Sequence, residues 1–172
     1  VSEEDREFAR QLIPDSDRPT LVISPCSSQR ARNFRNWLPE HYARVSDFAS
    51  DTFGARVILT GGELRKISQT MVGPLTSAVL SQVRVDRAFM GTMGFCLKNG
   101  LTTTDPNEAF VKGLVAEQAV QVVLLADSSK AEKVSFARVS DWDKVDILVS
   151  DQKLPPIFTK SLPKRGLKVC VV

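Results

Sequence analysis

The sequence predicts an α/β fold: a mostly parallel sheet with helices on both faces. Three observations predict it. Short, almost wholly apolar runs recur at Leu21-Val22-Ile23, Val57-Ile58-Leu59, Val122 to Ala126 and Val145 to Val149, as strands covered on both faces require. Segments of helical length with apolar residues on one face separate these runs. Glycine and proline punctuate the borders, with proline where helices open and glycine where elements stop.

The elements follow in order. Ser2 suits a helix cap, Glu3, Glu4 and Asp5 suit a first turn, and Phe8, Leu12 and Ile13 share one helical face. Pro14 to Pro19 reads as a loop and Leu21 to Ile23 as a buried strand ended by Ser24-Pro25. Ser27 to Asn36 is polar and basic, a loop. Pro39 to about Ser50 reads as a helix stopped by Gly54, and Val57 to Leu59 as a strand stopped by Gly61-Gly62. Met71-Val72 is a short extended piece. Pro74 opens a helix through Val83, and Val85 to Met90 is a strand ending at Gly91. A loop of Gly, Asn and Thr follows. Asp105-Pro106 starts a helix through about Val120. Strands are expected at Val122 to Ala126, Val145 to Val149 and Leu167 to Val172, with a helix from Pro156 to Lys164 before the last.

Size and composition set the frame. The chain has 172 residues, 42% of them hydrophobic and 25% charged, which suits one domain with one core over residues 1–172. A net charge of +3 is too small to argue for nucleic-acid binding by itself. Three widely spaced cysteines, Cys26, Cys96 and Cys170, argue against a disulfide framework and a metal site and for a reducing, cytoplasmic setting. No apolar run is long enough to cross a bilayer, and the first residues do not form a secretory signal. The opening on Val1 rather than Met suggests a fragment. Neither cofactor fingerprints nor P-loop spacing are present, and His41 is the sole histidine, so nucleophilic catalysis has a single possible base. No enzyme activity and no cofactor are expected.

In such folds ligands sit beyond the carboxyl ends of the strands. Four strand-end loops qualify. Ser24 to Trp37 offers Ser27, Ser28 and Arg35 and reads either as an anion site or as a solvated basic loop. Gly61-Gly62 is either a close backbone approach or a plain turn. Gly91 and the stretch Gly100-Leu101-Thr102-Thr103 precede Glu108 and Lys112, which share a helix face as a surface ion pair or as a carboxylate and ammonium aimed into a pocket. Asp127-Ser128-Ser129-Lys130 is either a capped turn or a cluster for a sugar phosphate, with Lys130 for the anion and Asp127 for a hydroxyl.

Residues 63–172 resemble the C-terminal effector domain of DeoR-type transcriptional regulators. The likeness rests on Val72-Gly73-Pro74-Leu75, Arg84 to Phe89, Gly91 with Gly94, Gly100 to Thr103, Glu108 with Lys112, Val123 to Lys130, Ser135-Phe136-Ala137 and Asp146 to Asp151. It implies a Rossmann-like fold of the ribose-5-phosphate isomerase type and a non-catalytic pocket for a phosphorylated sugar. That pocket would include Gly100 to Thr103, Glu108, Lys112, Asp127 and Lys130. Residues 1–62 resemble part of the nucleotide-sugar-binding half of a lipopolysaccharide heptosyltransferase, through Leu21 to Ser28, Arg35 two before Trp37, Glu40 to Ala43 and Arg56 to Gly62. That likeness implies a loop once facing the diphosphate of an ADP-sugar, with transfer activity absent. Together they imply a chimera joined at Gly61-Gly62, with native function weakened or lost; a divergent natural effector domain is the alternative. Three expectations follow. Val57 to Leu59 shares one sheet with Val85 to Met90 and Val122 to Ala126. Phosphate binds weakly between Ser27/Ser28 and Lys130. The segment does not bind DNA directly, because only about two dozen residues precede the first strand, too few for a helix-turn-helix module. A homo-oligomer is possible, and no membrane partner is expected.

Overall fold

The computed structural model describes residues 19–23, 39–61, 63–65 and 70–172. The expected first helix, Ser2 to Ile13, and the Ser24 to Trp37 loop lie outside the described residues. The chain divides into two compact units, Val1–Val83 and Arg84–Val172, a boundary some twenty residues beyond the expected join at Gly62.

In the first unit, β1 (Thr20–Ile23) pairs in parallel with β2 (Arg56–Leu59), with Thr20 opposite Arg56 and Ile23 opposite Leu59. Helix α1 (Pro39–Phe53) crosses between them, and Gly54 at φ +61° stops it in the left-handed region. Strands β3 (Glu63–Arg65) and β4 (Thr70–Val72) form an antiparallel pair. Gly73 at φ +93° then leads into α2 (Pro74–Leu80), with Pro74 in its first turn as the sequence anticipates. The buried Thr76 hydroxyl donates to the Gly61 carbonyl at 2.7 Å, tying α2 to the turn after β2.

The second unit is built on a four-stranded parallel sheet, ordered β11 (Lys168–Val171), β10 (Ile147–Ser150), β8 (Ala119–Leu125), β5 (Val85–Met90). Helix α3 (Pro106–Gln118) leads into β8 and α4 (Pro156–Ser161) connects β10 to β11. This is the predicted α/β architecture. Within the first unit Val57 to Leu59 pairs with β1, and within the second Val85 to Met90 and Val122 to Leu125 lie together. An apolar strand needs cover, but its composition does not name which strand supplies it.

A small antiparallel sheet joins β6 (Gly94–Cys96) and β7 (Gly100–Thr103), where the sequence predicts a loop, to β9 (Ala137–Ser140), which the sequence reading leaves unassigned. The core of the unit joins both sheets through Phe95, Leu101, Leu124, Leu148, Phe158 and Leu162, all fully buried. Phe95 stands edge-on to Phe158 at 5.0 Å and to Trp142 at 5.9 Å. The Trp142 indole donates to the Cys96 carbonyl at 2.9 Å, so the one polar atom of this aromatic cluster is satisfied.

Candidate functional site

The carboxyl ends of β5, β8 and β10 lie side by side, fixed by the pairs Met90–Leu124 and Leu124–Leu148. Gly91, Asp127 and Asp151 follow these strands, so three loops open at one edge. The third loop was not singled out in the sequence, yet Asp151 organises the edge. Its Oδ2 accepts from the Ser128 backbone N–H at 2.7 Å, and its Oδ1 accepts from that of Lys153 at 2.8 Å. These hydrogen bonds, the one from Ser128 first, hold the Asp151 carboxyl below its ordinary value of 3.8.

Asp127 caps the short turn Ser128–Lys130 by accepting from the Ser129 N–H at 3.0 Å. The hydroxyl of Ser150, the last residue of β10, is buried and without a hydrogen-bond partner among the described residues. Composition gives no hint of Ser150; burial alone makes its hydroxyl unusual.

Helix α3 brings in Glu108 and Lys112. Asp105 caps the helix by accepting from the Glu108 N–H at 2.9 Å, and Pro106 sits in the first turn, as the sequence predicts. Lys112 Nζ lies 2.7 Å from Glu108 Oε1, with side-chain exposures of 20% and 11%. That is far from a solvated surface pair. Because α3 must reach the start of β8, its first turn lies toward the carboxyl end of the sheet.

The other expected residues fall into three groups. Thr102 and Gly100 hold the small sheet together. The Thr102 hydroxyl donates to the Gly94 carbonyl at 3.1 Å and accepts from the Ser135 N–H at 2.9 Å. Gly100 takes φ +66°, and a Cβ there would run into the Ser140 carbonyl. Thr103 is fully buried and its hydroxyl has no partner among the described residues. Gly61 belongs to the first unit and is exposed, its carbonyl taken by Thr76. Gly62, Ser27, Ser28 and Arg35 lie outside the described residues. No group of three or more His, Cys, Asp or Glu is placed to hold a metal ion among the described residues. No described helix is long and apolar enough to cross a membrane.

Comparison with known families shows which family the chain belongs to. The model of the DeoR C-terminal sensor domain matches residues 41–152. The chain belongs to this family. A DeoR sensor domain is a non-catalytic module, so the chain is not an enzyme. It is similar to the HTH-type transcriptional repressor GlcR of Bacillus subtilis, at 29% identity over 99% of this chain and 68% of that protein. It is also similar to the HTH-type transcriptional regulator GlpR of Haloferax volcanii, at 34% identity over 66% of this chain and 44% of that protein. A third relative is a putative aga operon transcriptional repressor of Escherichia coli O157:H7, at 29% identity over 74% of this chain and 48% of that protein. The chain thus spans about two-thirds of the first relative and less than half of the other two.

These matches correct the two-origin expectation. The DeoR match begins at His41 and runs through Gly62 without a break, and the likeness to the Bacillus repressor covers both sides of the expected join. Nothing supports a heptosyltransferase-like segment or a chimera. The features behind that resemblance are a short apolar strand before a small-residue loop and a strand ending in Gly-Gly. Both recur in parallel α/β folds of many kinds, so neither marks one family.

Proposed function

We propose that this DeoR sensor domain binds a phosphorylated sugar at the carboxyl edge of β5, β8 and β10, and that in a longer regulator this ligand relieves repression. The observation that carries the reading is the shielded Glu108–Lys112 pair at 2.7 Å. A carboxylate accepts from sugar hydroxyls and an ammonium favours phosphate, and both act more strongly where water is excluded. Asp127, Ser128 and Lys130 form the second wall, with Ser150 and Thr103 supplying buried hydroxyls. Gly91 lets the chain pass close to the ligand.

The named relatives are repressors or regulators of transcription. Operator reading by this segment is not part of the proposal. The proposed setting is cytoplasmic.

A thermal-shift panel tests the proposal. Inorganic phosphate, several pentose and hexose phosphates, their unphosphorylated sugars, ADP and an ADP-sugar are compared. At least one sugar phosphate is expected to stabilise the chain, by about 2.7 kcal/mol at a hundredfold excess over its Kd, with the parent sugar far weaker. Stabilisation by ADP compounds alone, or by none of the panel, rejects the proposal.

A further inference from the structure

The short turn Ser128–Lys130 carries one wall of the proposed ligand site, and no apolar packing holds its tip. Ala126 before it and Ala131 after it are buried, and Ala131 bridges to Phe95, but none of the three residues between is buried. Local bonds close the turn. The Lys130 N–H donates to the Asp127 carbonyl and the Ala131 N–H to that of Ser128, both at 3.0 Å. The chain then leaves through Glu132 at φ +57°, in the left-handed region that a residue with a side chain rarely adopts. This path is not the backbone's own preference, so it must be fastened from outside.

Asp151 supplies such a fastening. Its own base is anchored: Ser150 before it is buried, and Leu154, part of the core, donates its N–H to the Asp151 carbonyl at 3.1 Å. From there each carboxylate oxygen takes a different loop, Oδ2 the Ser128 N–H at 2.7 Å and Oδ1 the Lys153 N–H at 2.8 Å. The bridge needs two acceptors on one short side chain. Asparagine has one, and its amide nitrogen would set a donor against a donor. We propose that Asp151 is the positioning residue of this site: by joining the Ser128 N–H to the loop after β10, it holds Asp127 and Lys130 where a sugar phosphate meets them. It acts through the turn and does not touch the ligand. The inference rests on the sugar-phosphate reading of the carboxyl edge. Its effect is on affinity, because a turn fixed in advance leaves less ordering to be done on binding.

Calorimetric titration of the full chain with ribose 5-phosphate and glucose 6-phosphate, well below the melting temperature, tests it. Asp151→Asn should weaken the tighter of the two about tenfold. Gly166→Ala destabilises the chain just before β11, at the opposite edge of the sheet, and should leave affinity unchanged, which separates positioning from lost stability. Lys130→Met should weaken binding by itself, and in that background Asp151→Asn should cost only about threefold, because a group it positions is gone. Amide exchange should be at least about tenfold faster at Ser128 in Asp151→Asn and unchanged at Leu148 in the core. If Asp151→Asn fails to fold, Ser128→Pro decides. It deletes the donor at the first position of the turn, where Asp127 at ψ 157° already suits a following proline, and should bind about tenfold more weakly than Ser128→Ala. Unchanged affinity or unchanged Ser128 exchange in Asp151→Asn overturns the inference. So does an equal loss in Gly166→Ala, or losses from Asp151→Asn and Lys130→Met that simply multiply. A wild-type chain that binds neither sugar phosphate overturns the reading of the site and this inference with it. A wild type that binds one, matched by Asp151→Asn, overturns the inference alone.

Discussion

The backbone N–H of Ser128 donates to the carboxylate of Asp151 at 2.7 Å, which ties the loop after β8 to the loop after β10. The two residues are 23 apart in sequence, and neighbouring strands bring them together. The bond needs the ionised carboxylate. A carboxyl held below its ordinary value contributes stability that is fully present above the unfolded value, near pH 4, and is lost as pH falls through the folded value. Asp151→Asn is therefore expected to lower the melting temperature at pH 7. The gap to wild type should close as pH falls below about 4 and the wild-type carboxyl is protonated. Thermal melts across that range check this; a gap that stays constant would mean that Asp151 acts by shape alone.

The aromatic cluster gives the largest single loss. Phe158 is fully buried and meets Phe95 at 5.0 Å and Trp142 at 6.3 Å. Phe158→Ala removes those contacts and leaves a cavity that the surrounding sheets cannot close. We expect a cost of about 3–5 kcal/mol in urea unfolding. A loss below about 1 kcal/mol would mean that α4 is not fastened to the core through this ring.

The sequence showed the parallel strands clearly, because runs such as Val122 to Leu125 are apolar throughout and of strand length. It showed the Asp105-Pro106 start of α3 and the Glu108–Lys112 spacing for similarly local reasons. The small antiparallel sheet was hidden. Its strands are three or four residues long and rich in Gly and Thr, and their pairing depends on Ser140 and Ala137, over thirty residues away. The parts of Ser150 and Asp151 at the edge were hidden too, since a serine ending a strand and an aspartate after it are ordinary until burial and a neighbouring loop set them apart. The resemblance of residues 1–62 to a transferase misled because a strand, a small-residue turn and Gly-Gly recur across many parallel α/β folds.

Two glycines separate backbone strain from crowding. Gly100 and Gly166 both take positive φ, at +66° and +88°. A Cβ on Gly166 meets nothing within 4 Å, whereas one on Gly100 meets the Ser140 carbonyl and the Asp141 Cα. Gly166→Ala should cost only the left-handed penalty, about 1–2 kcal/mol. Gly100→Ala should cost that and more, because the β7–β9 pairing must shift. Equal losses in parallel urea titrations would show that the small sheet yields freely at this point.

The last prediction concerns the pair at the start of α3. Lys112 and Glu108 are both largely shielded, so removing one partner strands a charge that water cannot fully reach. Lys112→Met is expected to cost about 2 kcal/mol. Adding Glu108→Gln should recover part of that, because the stranded carboxylate is then gone. A double-mutant cycle should therefore show coupling of about 1 kcal/mol or more. If the proposed ligand site is right, the two variants also divide the ligand between them. Lys112→Met should weaken a sugar phosphate and inorganic phosphate alike, since both lose a cation. Glu108→Gln should weaken the sugar phosphate but spare or strengthen inorganic phosphate, since it removes an acceptor for hydroxyls and a charge that repels the anion. Calorimetric titration of both ligands against both variants reads this directly. If coupling is present but neither variant changes binding, the pair is a structural fastening of α3 and the ligand sits elsewhere on the carboxyl edge. If coupling is absent, the two side chains do not form the shielded pair in solution, and the chemical case for this wall of the site falls with it.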